Sequence, residues 1–232
     1  MKNYKDSLGL KIVTLMFFSM LNCYIYKNNT EIETYYYLYD QRVITDLILC
    51  IIIIPILLVC SFQTTNKNSR CMIYLRYGKA EVFYQKIALN IIHNAFILSI
   101  LYITPEYVCF LALGNSIATV DIMYYVLKIL VTTSCFAIIG LMIQAAYMRI
   151  RNYVIVFMIL SVMIYVPYVL GRVLRQNTVF NIIQLLQLQP IFNDHGISIM
   201  RYVALGLDMV VATIVTYIGC IRFAKRTDIL WR

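Results

Sequence analysis

Two charged residues, Lys128 and Asp208, lie inside long apolar stretches of the chain. A charge near the centre of a bilayer costs about 2.5–3.5 kcal/mol on insertion scales, so such residues usually have a partner or a function. Each lies six residues into its stretch, and both stretches are predicted to enter the membrane from the same side. An ion pair facing the bundle interior is therefore predicted. The alternative is that each side chain reaches the outer headgroups separately.

Motifs of nucleotide binding and hydrolysis do not occur in the sequence, which contains no GxxxxGK[ST], HExxH or GxSxG. His93 and His195 are the only histidines, so no metal site is expected, and His93 is predicted to form an interhelical hydrogen bond. The seven cysteines include no CxxC pair and are interpreted as apolar packing residues. The chain is not predicted to be an enzyme or to bind a cofactor itself.

The composition is that of a membrane protein. Hydrophobic residues make up 62% of the chain and charged residues 13%, and the mean hydropathy is +0.76. Soluble chains are about 45–50% apolar and about 25% charged. The net charge of +9 comes from short basic clusters between apolar runs. Because this placement suits membrane orientation better than a phosphate-binding face, nucleic-acid binding is not predicted.

We predict an all-α membrane protein that forms one domain over residues 1–232. Its six transmembrane helices are predicted to cover about residues 8–25, 44–62, 87–103, 122–147, 153–170 and 202–221. Pro55 is predicted to kink the second span. The third is predicted to end at Thr104-Pro105-Glu106, followed by an external loop or interfacial helix over residues 107–121.

The distribution of basic residues predicts the orientation. Thirteen lysines and arginines lie in the N-terminal segment, residues 63–86, residues 148–152 and the C-terminal tail, against five in the alternate connections. Because cytoplasmic loops are the basic ones, both termini are predicted to be cytoplasmic.

Two connections have amphipathic character. After Gly78, the apolar residues Val82, Phe83 and Ile87 recur at near-helical spacing, which predicts a short helix at the inner membrane surface. Such a helix either binds a partner or only anchors the loop. Between spans five and six, an external amphipathic helix is predicted, with an apolar side and a glutamine stripe that include Phe180, Ile183, Gln184 and Gln187.

The segment RCMIYLRYGKAEVFYQKI (residues 70–87), together with six predicted spans and both ends inside, resembles the permease subunits of type-2 ABC transporters. The turn 76–79 and the aromatic-rich helix that runs into span three are similar to the coupling helix of that family. The tail RFAKRTDIL (residues 222–230) resembles the family's short basic ending. The coupling residues on this resemblance are Arg70, Tyr74, Arg76, Tyr77, Gly78, Lys79, Val82 and Phe83.

The resemblance implies a subunit of the bacterial plasma membrane that forms a homodimer and binds a separate cytoplasmic ATPase, on which ATP and Mg²⁺ are held. The expected activity is export of an amphiphilic substrate, such as a peptide, or immunity to antimicrobial peptides. Type-2 permeases also place short external helices between spans five and six.

Two other functions stay open. A non-transporting immunity or accessory protein would sequester a toxin and need no ATPase. An ion-coupled secondary transporter would need internal repeats with helices interrupted at matching positions. Pro55 and Pro167 do not occupy matching positions in the two halves.

Overall fold

The computed structural model of the chain describes residues 80–112, 119–150, 152–174 and 199–227, together with Val13, Met16, Phe17 and Met20. The four ranges contain the helices α1 (Ala80–Ala112), α2 (Thr119–Ile150), α3 (Tyr153–Leu174) and α4 (Ile199–Thr227). No strand occurs in these ranges, so the all-α prediction is confirmed for this part of the chain.

Three of these helices are long and apolar enough to cross a membrane: α1 over Tyr84–Pro105, α2 over Tyr125–Ile150 and α4 over Val203–Phe223. They overlap the third, fourth and sixth predicted spans. Helix α3 contains a shorter apolar stretch, Val154–Met163. The length and composition of the described helices are thus compatible with an α-helical membrane protein, while the number of six spans and the orientation stay predictions. The second predicted span, 44–62, lies outside the described residues.

Helix α2 occupies the centre of the described bundle. Helices α1, α3 and α4 all pack against it, and α1 also contacts α4. A helix that is apolar on most sides is expected in the interior of a protein or in a membrane. The least exposed apolar side chains of α2 lie on several faces: Val131, Cys135, Phe136, Ala137, Ile139, Leu141 and Ile143.

A tight turn joins α2 to α3. Asn152 lies between the two helices, and its Oδ1 accepts hydrogen bonds from the backbone N–H groups of Val154 (3.0 Å) and Ile155 (3.4 Å). An asparagine in this position caps a helix by satisfying N–H groups that have no partner within the helix. Because the turn is so short, α3 must run antiparallel to α2. Their shared core consists of Ile139, Ile143, Val156 and Leu160.

A second cluster joins the beginning of α1 to the later parts of α2 and α4. We call it the three-helix cluster. Its buried members are Tyr84, Ile87, Ala88, Ile91, Leu141 and Cys220, with Ala145, Met148 and Tyr217 packed around them. The end of the bundle at which α1 begins and α2 and α4 end also carries the exposed cations Lys86, Arg149 and Arg222. We call it the basic end.

The third span was predicted to end at Thr104-Pro105-Glu106, and the apolar part of α1 does end at Pro105, but the helix itself continues to Ala112. Proline removes one helical hydrogen bond, but packing against α2 stabilises the helix on both sides of it. The hydroxyl groups of Thr104 and Tyr125 are 3.0 Å apart, and the rings of Tyr107 and Tyr125 stack with centroids 4.5 Å apart. Pro105 itself is buried.

Two glycines of α4 have different surroundings. A Cβ added at Gly206 would lie 3.2 Å from Leu127 Cδ2 and 3.5 Å from Leu130 Cδ2 of α2, whereas a Cβ at Gly219 would meet nothing within 4 Å. Gly206 therefore permits the close approach of α4 to α2, and Gly219 provides a matched control in the same helix.

We expect Gly206→Leu to lower the free energy of unfolding by about 1–3 kcal/mol, because the larger side chain overpacks the α2–α4 contact. Gly219→Leu should change it by about 0.5 kcal/mol or less, as is usual at exposed positions. Circular dichroism during unfolding in detergent measures both. Equal losses in the two variants would show that Gly206 does not have this packing role.

Candidate functional site

The described part of the predicted coupling segment is the first turn of α1. Helix α1 begins at Ala80, so Val82 and Phe83 are helical, and Val82 is exposed. The other six predicted coupling residues lie outside the described residues: Arg70, Tyr74, Arg76, Tyr77, Gly78 and Lys79. Since α1 has no break between Val82 and its membrane-spanning part, the amphipathic segment predicted after Gly78 is continuous with a membrane helix.

The three-helix cluster fixes this first part of α1 to the rest of the bundle. Tyr84 and Ile87 lie within five residues of Val82 and are buried against α2 and α4. A thiol hydrogen bond also connects α4 to α2, because Cys220 Sγ donates to the carbonyl oxygen of Leu141 at 3.3 Å. A displacement of the beginning of α1 therefore acts directly on the corresponding parts of α2 and α4.

Hydroxyl groups connect α1 to α2 further along the bundle. Ser99 Oγ donates to the carbonyl oxygen of Phe96 at 2.8 Å and lies 2.5 Å from Thr133 Oγ1. The hydroxyl of Ser99 has one proton, which is used in the first bond, so Thr133 is the donor in the second. Such interhelical bonds position membrane helices because lipid offers polar groups no other partner.

Lys128 and Asp208, the predicted ion pair, differ in their exposure. Lys128 on α2 has no exposed surface, and Thr132, one turn later, is equally buried. Asp208 on α4 is exposed. It lies two residues after Gly206, which faces α2, and two residues correspond to about 200° of helical rotation. Asp208 is therefore on the opposite side of α4. The pair stays a prediction, and the exposure of Asp208 argues against it.

A stripe of exposed polar side chains runs along α1. Lys86, Asn90 and His93 are all exposed and recur at four- and three-residue spacing, which places them on one face of the helix. We call them the polar stripe. Transfer of an amide from water to a hydrocarbon without a hydrogen bond costs about 4–8 kcal/mol, so this face is poorly suited to lipid. His93 is thus exposed, and not packed between described helices as the sequence suggested.

The exposed face of α3 contrasts with the polar stripe. Every exposed side chain that the structure describes on α3 is apolar: Val154, Ile155, Met158, Ile159, Val162, Met163 and Val166. This is the surface expected of a helix in contact with lipid. The difference between the two helices was not predicted from the sequence, although the four- and three-residue spacing of Lys86, Asn90 and His93 indicates it.

Other predicted site residues lie outside the described residues, namely Phe180, Ile183, Gln184 and Gln187 of the external amphipathic helix. Within the described ranges, no group of three or more His, Cys, Asp or Glu side chains is arranged to hold a metal ion. The three long apolar helices described above are compatible with a helical membrane protein. No family model, curated protein or solved structure matches the chain.

The interhelical hydroxyl pair is testable with a double-mutant cycle of Ser99→Ala and Thr133→Val. We expect a coupling energy of about 0.6 kcal/mol, the average for interhelical hydrogen bonds in a membrane protein. The control pairs Ser99→Ala with Thr213→Val, because the Thr213 hydroxyl donates to Met209 within its own helix at 2.8 Å. Coupling of the same size in both cycles would mean that the Ser99–Thr133 bond adds nothing specific.

Lys128→Met is expected to lower the free energy of unfolding by about 1–3 kcal/mol, because it removes the interaction that this fully buried lysine makes. Since Asp208 is exposed, adding Asp208→Asn should not restore the lost stability. Val126→Met, at an exposed position of the same helix, is the control. Recovery of most of the loss in the Lys128/Asp208 double variant would instead establish the ion pair.

Proposed function

We propose that the chain is the membrane-spanning permease subunit of an ABC transporter. The long apolar helices support a membrane location, and the segment 70–87 carries the resemblance to type-2 permeases. Because the sequence has no phosphate-binding loop, ATP and Mg²⁺ would be held by a separate ATPase subunit. A second copy of the chain would complete the pathway for an amphiphilic substrate such as a peptide.

The continuity of α1 is the observation that best supports this proposal. A permease must convert movement of a cytoplasmic ATPase into movement of membrane helices. Here the helix that follows the predicted docking turn is the membrane helix itself, with no flexible joint after Ala80. A rigid helix transmits a displacement at one end to the whole of its length.

The three-helix cluster extends that movement to other helices. Ile87 and Ile91 of α1 are buried together with Leu141 of α2 and Cys220 of α4. Close-packed interiors do not deform continuously, so a shift of α1 must be accompanied by repacking or joint movement of its neighbours. On this proposal, ATPase closure moves α1, α2 and α4 together at the basic end and opens or closes the pathway between two copies.

The proposal is tested by affinity purification of the full chain from its native membranes. A stoichiometric partner with a GxxxxGK[ST] motif is expected, and the complex should hydrolyse ATP. The double variant Arg76→Ala, Tyr77→Ala should weaken ATPase binding about 30-fold, which corresponds to the roughly 2 kcal/mol typical of an interface hot spot. Arg201→Ala, near the beginning of α4 and therefore remote from the basic end, is the matched control.

The outcomes separate the three functions considered. Loss of the partner in Arg76→Ala, Tyr77→Ala but not in Arg201→Ala supports the permease. A chain that purifies without an ATPase, yet protects cells against an antimicrobial peptide, is an immunity protein and contradicts the proposal. Substrate transport that persists without ATP and stops when the ion gradient is dissipated would identify a secondary transporter.

A further inference from the structure

The polar stripe lies on the side of α1 that faces away from the described bundle. The buried side of this helix is formed by Ile87, Ile91 and Ala95. Lys86, Asn90 and His93 are exposed, and their spacing places them opposite that side. Two large apolar residues lie on the same exposed side, Leu89, which is 57% exposed, and Phe96, which is 47% exposed.

The stripe begins at the basic end and reaches deep into the span. The apolar part of α1 begins at Tyr84, and a helix rises 1.5 Å per residue. His93 is therefore about 13 Å from that boundary, close to the middle of a hydrocarbon layer about 30 Å thick. Lys86 alone would reach the headgroups with its flexible side chain, but Asn90 and His93 are too short and too deep for that.

Polar side chains at this depth are normally found facing a protein interior or a water-filled cavity. The exposed face of α3, by contrast, is wholly apolar in the part that the structure describes, as expected of a surface in contact with lipid. The difference between the two faces indicates that α1 presents the polar stripe to water. Since the stripe extends from the basic end to mid-membrane, the cavity would open at that end.

We propose that the polar stripe lines a water-filled entrance at the basic end and binds the anionic group of an amphiphilic cargo. The Lys86 ammonium, the Asn90 amide and the His93 imidazole are hydrogen-bond donors that suit carboxylate oxygens. Leu89 and Phe96 lie beside them and suit the apolar part of the same molecule. This inference rests on the proposed transport function for the presence of a cargo, but the aqueous entrance is tested independently of it.

The entrance is tested with single cysteines in a background without the seven native cysteines. Inside-out vesicles are treated with a membrane-impermeant, positively charged methanethiosulfonate, which reacts with thiolates in water. We expect Asn90→Cys and His93→Cys to react about tenfold faster, or more, than Met158→Cys and Val162→Cys on α3, because a thiol in lipid is scarcely ionised. Ala95→Cys, on the buried side of α1, should also be unreactive.

The anionic specificity is tested by protection of His93→Cys. N-lauroylglycine, an anionic amphiphile, should slow labelling several-fold, whereas lauroylcholine, its cationic counterpart, should not. Equal protection by both would overturn the charge preference. Suppression by phosphatidylglycerol in the vesicles but not by N-lauroylglycine would assign the stripe to a lipid headgroup and so contradict a cargo site.

If neither Asn90→Cys nor His93→Cys is labelled, the proposal of a water-filled entrance is wrong. Spontaneous cross-linking of His93→Cys between two copies would show that a second chain covers the stripe instead.

If the cysteine-free background does not fold, carbethoxylation of a His195→Gln variant measures the accessibility of His93, because His93 is then the sole histidine. Labelling needs neither ATP nor an ATPase. A labelled entrance in a chain that binds no ATPase would therefore refute the ABC permease while retaining the cavity.

Discussion

The described structure depends on the burial of α2, against which each of the other three described helices packs. An apolar helix gains little from the hydrophobic effect inside lipid, so its neighbours are held by close packing and by a few polar contacts. Each neighbouring helix is held against α2 by a different kind of contact. Helix α1 contributes Ser99 and Thr104, α3 follows a capped turn, and α4 approaches through Gly206. The position of every described helix is thus defined relative to one central element.

Three kinds of polar side chain in the described spans differ in where their hydrogen bonds are made. Thr213 and Thr216 of α4 donate to carbonyl oxygens of their own helix, at 2.8 Å in each case, so they can face lipid. Ser99 bonds across to α2 and fixes a helix pair. Asn90 and His93 of the polar stripe are of a third kind, since they are exposed at depth on α1. Their position is explained by contact with water or a ligand.

The sequence predicted the helical class and the approximate positions of the helices because long apolar runs carry a strong signal. It could not predict which side of a helix is covered, since that depends on neighbours distant in the chain. Lys128 and Asp208 appeared equivalent by depth, yet one is buried and the other exposed. The sequence placed the end of the third apolar stretch at Pro105, where the structure also has it, but not the continuation of the helix to Ala112. Tyr107, in that continuation, stacks on Tyr125 of α2, a contact that the sequence alone does not reveal.

The continuation of α1 beyond Pro105 has a consequence for how the protein fits its bilayer. Helix α1 has 33 residues and is about 50 Å long, whereas its apolar part, with 22 residues, is about 33 Å long. The seven residues after Pro105 and the six before Tyr125 in α2 extend these helices by about 10 Å beyond their apolar parts. Because Tyr107 of one extension stacks on Tyr125, a membrane thicker or thinner than the apolar parts would act on both helices together.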